Sequence, residues 1–157
     1  MWVRTPLTLS VVEGDLDIFR FLLEKGADLN AFGPGDGETH TSGARDGETA
    51  LSAAARLSRA TMLRELLDHG ADPKLNDSAA VASAAEAGDI EGMMKLIEHG
   101  GDIHIQQGEP GKALHAAARK GNTDMVKFLL SRGVDVNASS GKYGYAKHTQ
   151  FQTLLGV

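Results

Sequence analysis

The chain has 157 residues, 41% hydrophobic and 24% charged, which is enough for one folded domain with a core and too few for two ordinary ones. Its 16 basic and 21 acidic residues leave a net charge of −5 without any basic block, which argues against a protein that tracks nucleic-acid phosphates. With 0 cysteines, disulfides, thiolate metal sites and a cysteine nucleophile are excluded, and no apolar run reaches membrane-spanning length.

Taken in chain order, the first element opens at Thr5-Pro6-Leu7. A threonine hydroxyl there caps a helix, and proline at the first helical position loses no hydrogen bond. Gly14 is placed to end that helix in a left-handed conformation. A second helix follows with apolar residues at Ile18, Phe19, Leu22 and Leu23, the spacing of one buried helical stripe. It closes at Lys25-Gly26, a cation facing the negative end of the helix dipole and a glycine C-cap.

The same pattern returns three times. The second-helix stripe recurs as Met62, Leu63, Leu66, Leu67, then as Met93, Leu96, Ile97, then as Met125, Val126, Leu129, Leu130. The closing residues are His69-Gly70, His99-Gly100 and Arg132-Gly133, so the glycine spacings are 44, 30 and 33 residues. Gly14, Ser58, Gly88 and Gly121 each lie 12 residues before their closing glycine, which makes each unit rigid and places length changes between units. One such helix pair buries almost no core alone. Stacked in register, each pair covers its neighbour, which is the logic of a helical solenoid.

These residues resemble the ankyrin repeat, whose period is about 33 residues and whose opening reads T-P-L-H-x-A. Thr5-Pro6-Leu7-Thr8-Leu9-Ser10 and Leu114-His115-Ala116-Ala117 match the opening, and Gly26-Ala27-Asp28-Leu29-Asn30 and Gly133-Val134-Asp135-Val136-Asn137 match the close. The resemblance implies an all-α solenoid of four helix-turn-helix repeats with protruding hairpin-like fingers. It also implies a protein-binding role. The expected boundaries are repeat one at about 2–31, repeat two at 46–75, repeat three at 76–105 and repeat four at 109–138. An inserted loop takes 32–45, and a loop with a truncated fifth repeat takes 139–157, where Gln152-Thr153-Leu154-Leu155 resembles the opening of repeat two.

The departures carry their own expectations. Only the fourth unit keeps the motif histidine, His115, read here as bridging backbone groups at its helix opening. The third lacks the Thr-Pro opening, has a connection three residues short of the period, and places Gly92 where an apolar residue is expected. Helix-interior glycine costs about 0.5–1 kcal/mol relative to alanine, so this unit is expected to be the softest and Gly92→Ala to stabilise it. Glu65 and Lys95 share a column of adjacent second helices and are expected to pair.

Catalytic and metal readings fare poorly. Gly111-Lys112 lacks both the upstream glycine and the following Ser or Thr of a phosphate loop. His69, His99 and His104 fit helix-end and finger positions better than a metal site, and Asp36, Glu38, Asp46 and Glu48 have no EF-hand spacing. Asp28, Asp72, Asp102 and Asp135 recur once per repeat, as structural carboxylates do. No cofactor and no metal is expected, and no enzyme activity.

Function is therefore expected from surface. The candidate partner-binding residues are Val12, Glu13, Arg56, Leu57, Glu86, Arg119 and Lys120 near the ends of the first helices, with Phe32, His40 and Arg45 from the inserted loop. That loop is expected to order over the concave face when a partner docks. The partner is a protein of unidentified kind; neither nucleic acid nor membrane insertion is expected, and the chain is expected to be a monomer. An opening of Met1-Trp2-Val3-Arg4 without a signal peptide points to an intracellular, cytoplasmic setting. The second reading is a structural spacer within a larger protein or longer array.

Overall fold

The computed structural model describes residues 4–31, 48–104 and 112–138. Every regular element among them is an α-helix: α1 (Pro6–Glu13), α2 (Leu16–Glu24), α3 (Ala50–Arg56), α4 (Ala60–Asp68), α5 (Leu75–Ala87), α6 (Ile90–Glu98), α7 (Lys112–Lys120) and α8 (Thr123–Ser131). They form four pairs. The inserted loop at 32–45 and the truncated fifth repeat at 139–157 lie outside the described residues.

Each pair is built by local chemistry legible in its sequence. Thr5 Oγ1 accepts from the Thr8 N–H at 3.1 Å to start α1, and Pro6 occupies the first turn. Thr49 and Ser52 form a reciprocal capping box at the start of α3, Oγ1 accepting at 3.1 Å and Oγ at 3.0 Å. Gly14, Gly88 and Gly121 then turn the chain with φ of 79°, 73° and 74°, and Ser58 adopts the same left-handed conformation at 52°. Each second helix ends in Lys25, His69, His99 or Arg132 followed by a glycine with positive φ. The amide of Ala27 reaches back to the Leu22 carbonyl at 3.0 Å, and Gly26 to Leu23 at 3.0 Å, the Schellman closure. The two histidines add ring contacts, Nδ1 lying 2.7 Å from the Glu65 carbonyl and 2.9 Å from that of Lys95.

The fingers are held by the periodic aspartates. Oδ1 of Asp28, Asp72, Asp102 and Asp135 accepts the backbone N–H two residues on, at 2.9, 2.8, 2.7 and 2.9 Å. The role is structural in all four repeats. Adjacent fingers are also tied, since Asn30 Oδ1 accepts from the Asp72 N–H at 2.9 Å.

Stacking uses two layers. First helices pack closely on their neighbours, while second helices touch far less, so the first-helix layer carries most of the stacking. Alanine makes that approach possible: Ala53, Ala54, Ala55, Ala84, Ala85 and Ala117 are all fully buried. Phe19, Leu63, Met93 and Val126 fill the space between the layers.

Five expectations change. Ile18 is 53% exposed rather than part of the core, because among the described residues no helix pair covers that side of α2. The short connection before repeat three is absorbed by α5, which starts directly after the turn and runs 13 residues instead of seven to nine in α1, α3 and α7. Glu65 does not pair with Lys95. Arg20 of the preceding repeat holds Glu65 at 2.7 Å, while Lys95 turns within its own helix to Glu98 at 2.9 Å. Gly92 sits in the first turn of α6, where its N–H is capped by Asp89 Oδ1 at 2.8 Å, and a Cβ there would press on that carboxylate. His115 does not bridge backbone groups: its Nδ1 is buried without a hydrogen-bond partner.

Candidate partner-binding surface

The inner layer of first helices carries two charged clusters. In the first, Arg56 Nε lies 2.9 Å from Glu48 Oε1, and Arg4 Nε lies 3.7 Å from Glu48 Oε2. The Glu48 side chain is only 8% exposed, positioned by the turn into the Thr49 cap. In the second, Glu86 at the end of α5 meets Arg119 Nη2 at 2.7 Å and Lys120 Nζ at 3.5 Å from the end of α7. Each cluster sets two cations around one carboxylate among the described residues. The Arg119 and Lys120 side chains stay about half exposed, at 54% and 52%, while that of Glu86 is 14% exposed.

Most of the expected contact residues lie at the ends of these helices. Val12, Arg56, Leu57 and Glu86 are half-buried, and Glu13, Arg119 and Lys120 are exposed. The structure brings Glu86, Arg119 and Lys120 together and joins Arg56 to Glu48. Phe32, His40 and Arg45 lie outside the described residues.

Sequence reasoning missed Arg4 and assigned Glu48 only to an acidic stretch. Their joint role needs the fold, since Arg4 and Arg56 reach the same carboxylate from different repeats. It also missed a column with two alternating functions. Asp15 and Asp89 cap their own second helices, whereas Arg59 and Asn122 reach back to the preceding repeat. Arg59 Nη2 donates to the Val12 carbonyl at 3.4 Å, and Asn122 Nδ2 to those of Ala85 and Glu86 at 3.1 and 2.8 Å. The signal was present as Asp, Arg, Asp, Asn one residue after the glycine column.

No group of three or more metal-ligating side chains occurs among the described residues, and no helix there is long and apolar enough to cross a membrane.

The ankyrin repeat model matches residues 4–33 and 46–78, and the model of ankyrin repeats in three copies matches residues 81–146. No curated protein matches the chain. Ankyrin repeats generally serve as protein–protein interaction modules and are typically non-enzymatic. The matches cover most of the sequence and agree with the four helix pairs, and the chain belongs to the ankyrin repeat family.

Proposed function

We propose that this chain is a non-catalytic interaction scaffold that binds an acidic segment of a partner protein across its inner, first-helix surface. The observation that supports it is that, among the described residues, each inner cluster sets two cations around one carboxylate, on a chain whose net charge is −5. Arg119 and Lys120 are the exposed anchors. Their attachment to Glu86 fixes their direction and leaves guanidinium and ammonium donors facing solvent. Arg56 and Leu57 supply a mixed contact one repeat earlier, and Val12 an apolar one at the N-terminal end. The inserted loop, with Phe32, His40 and Arg45, adds contacts from the finger side when the partner docks.

The test is affinity capture with the wild-type chain and with Arg119→Glu/Lys120→Glu, compared by mass spectrometry. Partners lost from the double variant should carry acidic segments, and their capture should weaken with salt, as exposed ion pairs do. An unchanged partner set with an unchanged circular-dichroism melt would overturn this surface. A wild-type chain that captures nothing would favour the spacer role instead.

A further inference from the structure

The exposed end of repeat one is built like an interior stacking face. Leu9 is 47% exposed, although its counterparts Ala53, Ser83 and Ala116 in the other repeats are buried. Ile18 is 53% exposed, and its counterparts Met62, Gly92 and Met125 are likewise buried. Phe21, 56% exposed, occupies the column where Glu65, Lys95 and Phe128 are half-buried. In repeats two to four these columns are covered by the preceding helix pair. In repeat one all three are large apolar side chains left exposed, the opposite of a polar capping unit.

The other end is different. Among the described residues α7 and α8 expose no large apolar side chain. Two copies that meet about a two-fold axis cover identical faces with one another. The charge pattern of α2 fits that arrangement. Asp15, Ile18, Leu22 and Lys25 follow one another at three- and four-residue steps, so they form one stripe with an acid at one end and a base at the other. Phe21 flanks the stripe beneath the Lys25 ammonium, which lies 5.3 Å from the ring centroid. Two such stripes laid antiparallel set Asp15 against Lys25 at both ends and Ile18 against Leu22 and Phe21 between them. Antiparallel helix dipoles favour the same orientation.

We propose that a second copy of this chain covers the face, α2 packed antiparallel on α2, forming a homodimer whose two inner surfaces stay open to partners. The same register sets Leu22 of each copy against Ile18 of the other. The interface is separate from the Glu86 cluster, which joins repeats three and four.

Sedimentation velocity over a concentration series tests this. The wild-type chain should convert from monomer to dimer, while Ile18→Glu/Phe21→Glu should remain a monomer with an unchanged circular-dichroism melt, since both residues are exposed. Because the chain contains 0 cysteines, Ile18→Cys and Leu22→Cys chains mixed in equal amounts are a clean reporter. The mixture should oxidise to a mixed-disulfide dimer, whereas Leu22→Cys mixed with Val136→Cys, exposed in the last finger, should not form one. A wild-type chain that is monomeric at every concentration overturns the proposal. So does a dimer that survives in the double glutamate variant, or cross-linking as efficient in the Leu22→Cys/Val136→Cys mixture as in the Ile18→Cys/Leu22→Cys mixture. Should the double variant fail to fold, the cysteine pair decides alone.

Discussion

Arg20 lays its guanidinium across the carboxylate of Glu65 in the next repeat, with Nη2 at 2.7 Å from Oε1 and Nε at 3.1 and 3.2 Å from the two oxygens. It is a fork-shaped contact between adjacent second helices, where the direct packing of helix on helix is sparse. The hydrogen bonds from Arg20 hold the Glu65 carboxyl below the usual carboxylate range, aided by the attraction of the same guanidinium.

That shift has a sign in pH. A carboxyl whose pKa is lowered by folding stabilises the folded state above its unfolded pKa and loses that contribution as pH falls through the lowered value. Glu65→Gln should therefore melt below the wild type at neutral pH and converge with it under strongly acid conditions. The effect will be small, because the pair is solvent-screened and Arg20 is exposed. Thermal melts of both proteins at stepped pH check it. A constant offset down to the lowest pH would mean that the carboxylate is not the source.

The helix pairs, their caps and their phase were legible in the sequence because each depends on residues close in the chain. Thr5 with Pro6, Thr49 with Ser52, and the periodic aspartates all act within a few positions of themselves. Cross-repeat partners were not legible. Glu65 could have turned to either neighbour, and the column rule pointed to Lys95. That rule aligns positions, but a long side chain reaches diagonally, so Arg20, one position off the column, holds the carboxylate. The binding surface was legible as positions and not as clusters, since nothing local joins Arg4 to Glu48 or Glu86 to Arg119.

Gly92 shows how a propensity argument is reversed by its surroundings. A Cβ built there would fall inside contact distance of the Asp89 carboxylate, 2.9 Å from its Cγ, and 3.2 Å from Leu63 Cδ2 of the preceding repeat. Alanine would have to displace the side chain that caps α6. Losing such a cap costs typically about 1 kcal/mol, which offsets the 0.5–1 kcal/mol that alanine contributes over glycine. Gly92→Ala should thus leave stability unchanged or lower it by up to about 1 kcal/mol. Denaturant melts read this directly. Asp89→Ala in the same series separates the two contributions, because in its background Gly92→Ala should become stabilising.

Ser58 offers the opposite case, a position where the sequence departs from its column and the backbone does not follow. Gly14, Gly88 and Gly121 hold φ of 79°, 73° and 74° at this turn, and Ser58 is held at 52°. For an L-residue the left-handed conformation costs roughly 1–2 kcal/mol, because Cβ crowds the following carbonyl oxygen. The conformation is enforced by what flanks it: the Ser58 N–H bonds to the Ala55 carbonyl at 3.2 Å, and the Arg59 N–H to that of Ala54 at 2.9 Å. Ser58 is exposed and its hydroxyl caps nothing, since the N-cap residue of α4 is Arg59 and it makes no side-chain cap. Glycine would relieve the strain, and its larger unfolded-state entropy would return part of the gain. Ser58→Gly should stabilise the protein by about 0.5–1 kcal/mol, a rise visible in both the thermal and the denaturant midpoint. Ser58→Ala should not, because alanine keeps the Cβ that causes the strain. Equal midpoints for Ser58→Gly and Ser58→Ala would show that the turn stores no strain at this residue.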